Sequence, residues 1–282
     1  MVVGSGSAGL GVTNGLKEAM VREGLDDEEA RRHFYIVDKD GLLTSKRVEE
    51  GDEKGVQFTV SQRYYAEARD DLPEGLSILE TIQTVKPDIL LGVSGVGGLF
   101  TEDILKAMYQ QCAERGKEPI IFPLSNPTSK SEASAELVFR CTEGKGVFAS
   151  GSPFAPMTLP NGSEFRPPQA NNMFIFPGIG LGSIIAGSKT ISNNMFYAAS
   201  KALAAAVSDE AIARKEVYPK VEDIREVTKK VAIGVIRQAV AEGNAQKLAD
   251  KSKSFIDSDV EMDEYVGKRM WLPAYVPIIN RK

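Results

Sequence analysis

Met1-Val2-Val3-Gly4-Ser5-Gly6-Ser7-Ala8-Gly9 opens the chain as a short apolar run followed by a G-x-G-x-x-G turn. Leu10, Val12, Leu16 and Met20 then recur at helical spacing, and Gly24 supplies a stop. A strand that turns on glycines into a helix presents backbone amides to a pyrophosphate at the helix N-terminus. Gly6 lets the backbone approach the phosphates, and Gly9 lets helix and strand lie close. The pattern alone is weak, because glycine-rich turns join many strands to helices without a ligand. Only three residues precede Gly4, against about five in an ordinary strand. The first strand is therefore expected to be truncated, with any targeting segment lying upstream of it.

Downstream, strand and helix signals alternate. Asp26 to Arg32 reads as a short charged helix, and Phe34-Tyr35-Ile36-Val37 as a buried strand ending in the turn Asp38-Lys39-Asp40-Gly41. Thr44 to Asp71 is polar and poorly periodic, which predicts a surface excursion. Ile78, Leu79, Ile82 and Val85 mark a helix, and Ile89 to Val93 the next buried strand. Thr101 caps a helix running towards Cys112, Pro119 to Phe122 is a strand, and Ser129-x-x-Glu132 fits a capping box ahead of another helix. Val147 to Ala149 is a last short strand. Beyond Pro177 the pattern is helical, over Ile179–Gly187, Asn193–Val207 and Val221–Ala241. The fold class that follows is α/β: a Rossmann-type doubly wound parallel sheet with a mostly helical C-terminal part.

Composition narrows the function classes. With 42 % hydrophobic and 26 % charged residues over 282 positions, the chain is an ordinary globular one. A net charge of −5 argues against a nucleic-acid surface, and no Lys/Arg block suggests an anionic membrane. Apolar runs are too short and too rich in glycine to span a bilayer. Cys112 and Cys141 lack C-x-x-C spacing, so neither a disulfide framework nor a zinc site is expected, in keeping with a reducing compartment. Asn161-Gly162-Ser163 reads as a turn. The apolar tail around Trp271-Leu272-Pro273-Ala274-Tyr275-Val276-Pro277 is expected to dock, either into the core or against another subunit.

Asp38 is the candidate for the adenosine ribose, whose hydroxyls it can accept. It lies 29 residues beyond Gly9, longer than the usual spacing of about 20, and the charged helix from Asp26 accounts for the excess. The plain alternative is a turn aspartate. Lys39, Lys46 and Arg47 lie close enough in sequence to meet a 2′-phosphate, so Asp38 favours NAD without excluding NADP. Val93-Ser94-Gly95, Leu124-Ser125-Asn126 and Ser150-Gly151-Ser152 put small or polar residues at three strand ends, the edge of a ligand cleft in an open parallel sheet. The amides of Asn126 and Asn172 can donate to a substrate carboxylate or hydroxyl and accept in return, with ordinary turn roles as the alternative. The single histidine, His33, suits a solvated or packing role, and no nucleophile–His–acid set can be built. Gly178-x-Gly180-x-Gly182 suits close helix packing. No carboxylate metal cage can be assembled from the scattered acids.

Taken together, these strings resemble the malic enzymes. The resemblance rests on the glycine turn, on Val37-Asp38-Lys39-Asp40-Gly41-Leu42 and on Gly92-Val93-Ser94-Gly95-Val96-Gly97-Gly98. It continues through Phe122-Pro123-Leu124-Ser125-Asn126-Pro127-Thr128-Ser129-Lys130 and Phe148-Ala149-Ser150-Gly151-Ser152-Pro153-Phe154. Gln169-Ala170-Asn171-Asn172 leads into Phe176-Pro177-Gly178, and Tyr218-Pro219 also fits. Ala170 departs from the family's usual glycine, which a negative backbone φ would tolerate.

The resemblance implies an NAD(P)-binding domain over 1–245 with a tail over 246–282, and oxidative decarboxylation of L-malate to pyruvate and carbon dioxide. It implies NAD as cofactor, with NADP possible, and Mg or Mn in the complete enzyme. It assigns cofactor binding to Gly4, Ser5, Gly6, Ala8, Gly9, Asp38, Val93, Ser94, Gly95 and Asn126, and malate binding to Asn126 and Asn172. In this family the lysine base, the tyrosine acid and the carboxylate metal ligands precede the glycine turn. No catalytic or metal residue is therefore expected here, and the chain alone is expected to be inactive. A homo-oligomer is implied for the complete enzyme, in the mitochondrion or cytosol, without nucleic-acid or membrane partners. The alternatives are a non-catalytic dinucleotide-binding or assembly module, or another Rossmann dehydrogenase.

Overall fold

The apolar run before the glycine turn becomes β1 (Val2–Val3), and the later apolar runs become β2 (Ile36–Asp38), β3 (Gly41–Leu42), β4 (Ile89–Gly92), β5 (Ile120–Pro123) and β6 (Val147–Phe148). In this computed structural model every residue is described except 67, 68, 70, 159–161, 163, 274 and 276–282. The six strands form one sheet in the order β3-β2-β1-β4-β5-β6. Neighbours are parallel except β2 and β3, an antiparallel hairpin turned by Asp38-Lys39-Asp40-Gly41, with Gly41 at φ 101°. The chain reverses direction across the sheet between β1 and β4, the switch point at which such sheets receive ligands.

Both faces of the sheet are covered, so successive strand residues enter different cores. Ile36 joins Leu10, Phe34, Leu43, Val48, Tyr65 and Ala66 on one face. Val37 joins Val3, Leu90, Ile121 and Phe148 on the other. The first face is covered by α1 (Ser7–Arg22), α3 (Ser45–Glu53) and α4 (Val60–Ala66), with α2 (Asp27–Arg32) beside α1. The second is covered by α5 (Ile78–Val85), α6 (Glu102–Ala113) and α7 (Ala135–Cys141). α2 is capped by Asp26, whose carboxylate accepts from the Glu28 and Glu29 amides; α5 carries a full capping box between Ser77 and Glu80.

Two local expectations are corrected, those for residues 44–71 and for Ser129-x-x-Glu132, and two, for Thr101 and for the tail around Trp271, are met only in part. The polar stretch from Thr44 to Asp71 holds α3 and α4, whose Val48, Tyr65 and Ala66 are buried; three core contacts suffice to fold a segment without strong periodicity. Thr101 occupies the N-cap of α6 but its side chain makes no capping bond. Ser129 and Glu132 form no capping box: Thr128–Lys130 is a 3-10 turn, and α7 is capped by Ser134. Trp271, Leu272 and Tyr275 are exposed rather than packed in the core, and Ala274, Val276 and Pro277 lie outside the described residues. Asn161 and Ser163 also lie outside them.

The chain divides into two compact units, Met1–Asn171 with Ser208–Tyr218, and Asn172–Val207 with Pro219–Lys282. The first holds the sheet, a small hairpin of β7 (Met157–Thr158) and β8 (Glu164–Phe165), and α10 (Asp209–Ala213). In the second, α11 (Ile224–Ala241) packs against α8 (Phe176–Ala186), α9 (Asn193–Ala204) and α13 (Asp259–Gly267), with α12 (Lys253–Asp257) beside α13. The α8–α11 approach depends on glycine: a Cβ at Gly178 would lie 2.5 Å from Val231 Cγ1, and one at Gly182 2.7 Å from the Ala232 carbonyl. Among the described residues no helix is long and apolar enough to cross a membrane.

Candidate functional site: a dinucleotide crevice

At the switch point the glycine turn meets the end of β4. The Gly4 amide donates to the Val37 carbonyl at 2.8 Å, and the Val93 amide to the Val3 carbonyl at 2.9 Å, so the turn is fixed from both sides. Gly4 sits at φ 125°, and a Cβ there would lie 2.6 Å from the Val93 carbonyl oxygen. At Gly9 a Cβ would lie 1.9 Å from the Gly4 carbonyl oxygen; only glycine allows α1 this close to β1. Gly6 differs. Nothing lies within 4 Å of its ideal Cβ, and it is exposed, as are Ser7 and Ala8. Gly6 is also the N-cap of α1 and brings no side chain to the first-turn amides. First-turn amides have no partner within their own helix, and α1 begins at the exposed Gly6 with no side-chain cap, a ready anion site.

Asp38 stands at the end of β2 beside this turn. Its Oδ2 accepts from Ser5 Oγ at 3.2 Å, and its Oδ1 accepts from the Asp40 amide at 2.9 Å and from Arg47 at 2.6 Å. The turn role and the ribose role are thus not exclusive: one oxygen organises the hairpin and the other faces the glycine turn. All three basic residues considered for a 2′-phosphate are paired with carboxylates, Lys39 with Asp40 at 2.8 Å, Lys46 with Glu50 at 3.8 Å and Arg47 with Asp38.

Two residues at this site escaped the sequence reading. Gln62 on α4 donates from Nε2 to both the carbonyl and the hydroxyl of Ser5, each at 3.2 Å, while its Oε1 accepts from Thr59. Its sequence signature is Thr59-x-x-Gln62, a capping box inside the polar, poorly periodic stretch from Thr44 to Asp71. Glu132 is fully buried and binds Ser94 and Ser125 at the ends of β4 and β5.

The other expected strand ends lie along the same carboxyl edge. Ser94 and Val93 are half-buried and Gly95, at φ 70°, is exposed. Asn126 is exposed and joined to Pro127 by a cis peptide, so it does not take the ordinary trans connection. A Cβ on Gly151 would meet the Leu124 carbonyl at 2.0 Å and Asn126 Nδ2 at 3.3 Å, which packs the third strand end against the second. Gln169 and Asn171 both donate to the Gly151 carbonyl. Ala170 is not among the positive-φ residues, and its amide donates to the Ser150 carbonyl at 2.8 Å, so its methyl is tolerated. Asn172 begins a 3-10 turn, Asn172–Phe174, in the second unit and is exposed. His33 is exposed at the end of α2. Among the described residues no three His, Cys, Asp or Glu side chains are grouped to hold a metal ion.

Residues 1–240 match the family model described as "Malic enzyme, NAD binding domain". The chain is 40 % identical over 285 residues to the NAD-dependent malic enzyme 2, mitochondrial, of Arabidopsis thaliana, covering all of this chain and 45 % of that protein. It is 38 % identical over 286 residues to NAD-dependent malic enzyme 3 of Bacillus subtilis (strain 168), covering 99 % of this chain and 46 % of that protein. The NADP-dependent malic enzyme of Dictyostelium discoideum is 37 % identical over 274 residues, covering 97 % of this chain and 46 % of that protein. The crystal structure of Entamoeba histolytica malic enzyme is similar in fold, with a TM-score of 0.69 at 23 % identity, covering 95 % of this chain and 47 % of that one. The chain thus spans about half the length of the curated relatives it matches.

Proposed function

The chain belongs to the malic enzyme family through its NAD-binding domain, and from that premise we propose that it supplies the dinucleotide-binding half of an enzyme converting L-malate to pyruvate and carbon dioxide. The observation that carries this reading is the uncapped start of α1 beside the open face of Gly6, at the switch point between β1 and β4. NAD, when bound, supplies the hydride acceptor. The chain's own residues bind and orient it. Gly4, Gly6, Ala8 and Gly9 shape the turn and offer its amides to the pyrophosphate. Ser5 and Asp38 take the adenosine ribose, and Val93, Ser94 and Gly95 line the other half of the cofactor. Asn126 serves cofactor and malate, and Asn172 serves malate; the family match supports both assignments.

The domain is assigned to 1–245 and the tail to 246–282. Following the family resemblance, in which the metal ligands, the lysine base and the tyrosine acid precede the glycine turn, neither the metal nor the proton transfer is assigned to a residue of this chain. Homo-oligomer formation and a mitochondrial or cytosolic setting complete the proposal, the latter supported by the mitochondrial name of the Arabidopsis relative.

The test has two steps. NADH and NADPH are titrated into the purified chain by nucleotide fluorescence, and reduced-nicotinamide absorbance is then followed with L-malate, Mn and each oxidised cofactor. Saturable binding without malate-dependent reduction is expected. No binding of either nucleotide would overturn the dinucleotide reading, and malate-dependent reduction would overturn the division of labour.

A further inference from the structure

Among the described residues Glu132 is the only buried acidic side chain, with no exposure to solvent. A buried carboxylate is costly unless its oxygens are satisfied. Here four donors converge on it. Oε1 accepts from the Ser94 amide at 2.8 Å, from Ser94 Oγ at 2.8 Å and from Ser125 Oγ at 2.5 Å; Oε2 accepts from the Ser125 amide at 3.3 Å. The two hydroxyls pass the constraint on. Ser125 Oγ accepts the Gly95 amide at 2.9 Å, and Ser94 Oγ accepts the Val96 amide at 3.1 Å.

The surrounding chain is shaped around this carboxylate. A Cβ on Gly92 would lie 2.7 Å from Glu132 Cδ, so glycine at the end of β4 makes its room. The Phe100 amide donates to the Glu132 carbonyl at 2.9 Å and the Gly98 amide to the Ser131 carbonyl at 3.0 Å, which ties its segment to the turn after β4. The backbone bond to Phe100 fixes the segment beside the core residues Phe100 and Ala133. The carboxylate's own bonds, to Ser94 and Ser125, all lie just past the carboxyl ends of β4 and β5.

A doubly wound sheet binds its dinucleotide as two halves, one mononucleotide to each half of the sheet. The glycine turn and Asp38 belong to the β1–β2 half; Ser94, Gly95 and Ser125 belong to the β4–β5 half. We propose that Glu132 is a positioning residue for the nicotinamide half of the bound dinucleotide, holding the Ser94-Gly95-Val96 turn and Ser125 in the form that receives it. The inference rests on the dinucleotide reading above.

The test compares NADH with AMP, which occupies the adenosine half alone, by calorimetric titration of the unaltered chain, Glu132→Gln and Ser125→Ala. Glutamine keeps the shape but loses the charge and one acceptor oxygen. NADH binding is expected to weaken about tenfold in Glu132→Gln and about threefold in Ser125→Ala, while AMP affinity stays within about twofold. Unchanged NADH affinity in a folded Glu132→Gln overturns the inference, and so does an equal loss of AMP, which marks a residue that only holds the fold. If Glu132→Gln fails to fold, Ser125→Ala carries the same comparison with the same two overturning results. Failure of the unaltered chain to bind NADH removes the dinucleotide reading itself, and is distinguished by that control.

Discussion

Arg47 is bonded to Asp38 at 2.6 Å, with both side chains largely withdrawn from water, at 12 % and 16 % exposure. Arg47 also donates to the Gly41 carbonyl at 2.9 Å. The guanidinium thus braces the β2–β3 hairpin, and its charge is already answered before any ligand arrives. An unmodified ribose meets a neutral pair there; a 2′-phosphate would meet a carboxylate. Replacing Asp38 by Asn removes the negative charge and releases Arg47 towards an anion. NADH affinity is expected to fall about tenfold, with NADPH affinity falling less or rising. The ratio of the two dissociation constants, measured by titration, checks this; an unchanged ratio would refute it.

Gly6 and Gly9 separate binding from folding. Gly9→Ala drives a methyl into the Gly4 carbonyl oxygen, which is backbone and cannot swing away. Its melting temperature is expected to drop, by an overpacking cost of about 2 kcal/mol or more. Gly6→Ala has open space and a φ of −80°, so its stability stays within about 0.5 kcal/mol. NADH binding is expected to suffer in both, and thermal melts beside titrations resolve the two effects.

The three glycines of α8 do different things. Gly178 and Gly182 face α11 without room for a methyl, whereas nothing lies within 4 Å of a Cβ at Gly180. Gly178→Ala is expected to destabilise by about 1–3 kcal/mol. Gly180→Ala is expected to stabilise by about 0.5–1 kcal/mol, since alanine loses less backbone entropy in a helix. Opposite shifts in denaturant midpoint are the signature.

Burial pushes the Cys112 and Cys141 thiols up. Their thiolates are penalised only in the folded chain. Stability from these groups is therefore full below the ordinary thiol range of about 8.5 and is lost as pH rises through the raised values. Neither thiol is expected to react with iodoacetamide at neutral pH until denaturant is added. Rapid alkylation of the native chain, followed by mass spectrometry, would contradict this.

Periodicity and turn chemistry are local, and they carried most of the fold. Gly4, Gly6 and Gly9 announced a strand–turn–helix because glycine spacing encodes backbone approach. Asp38 and Gly41 announced the turn after β2 because each acts on its own neighbours, but the strand β3 that returns from it was seen only in the structure. The order of residues also determined the family, since motif strings are linear. What required the tertiary structure was every relationship between distant segments. Glu132 reads locally as a helix cap, yet its carboxylate turns inward because Ser94, 38 residues away, and Ser125 converge on it once β4 and β5 pair. Gln62 reaches Ser5 across 57 residues only because α4 covers the same sheet face as α1. Arg47 chose Asp38 over a solvent-facing role because the hairpin delivered both to one half-buried corner. A chain records which backbone conformations its residues favour; which buried donor meets which acceptor is settled by packing, where an unpaired polar group costs more than any local preference.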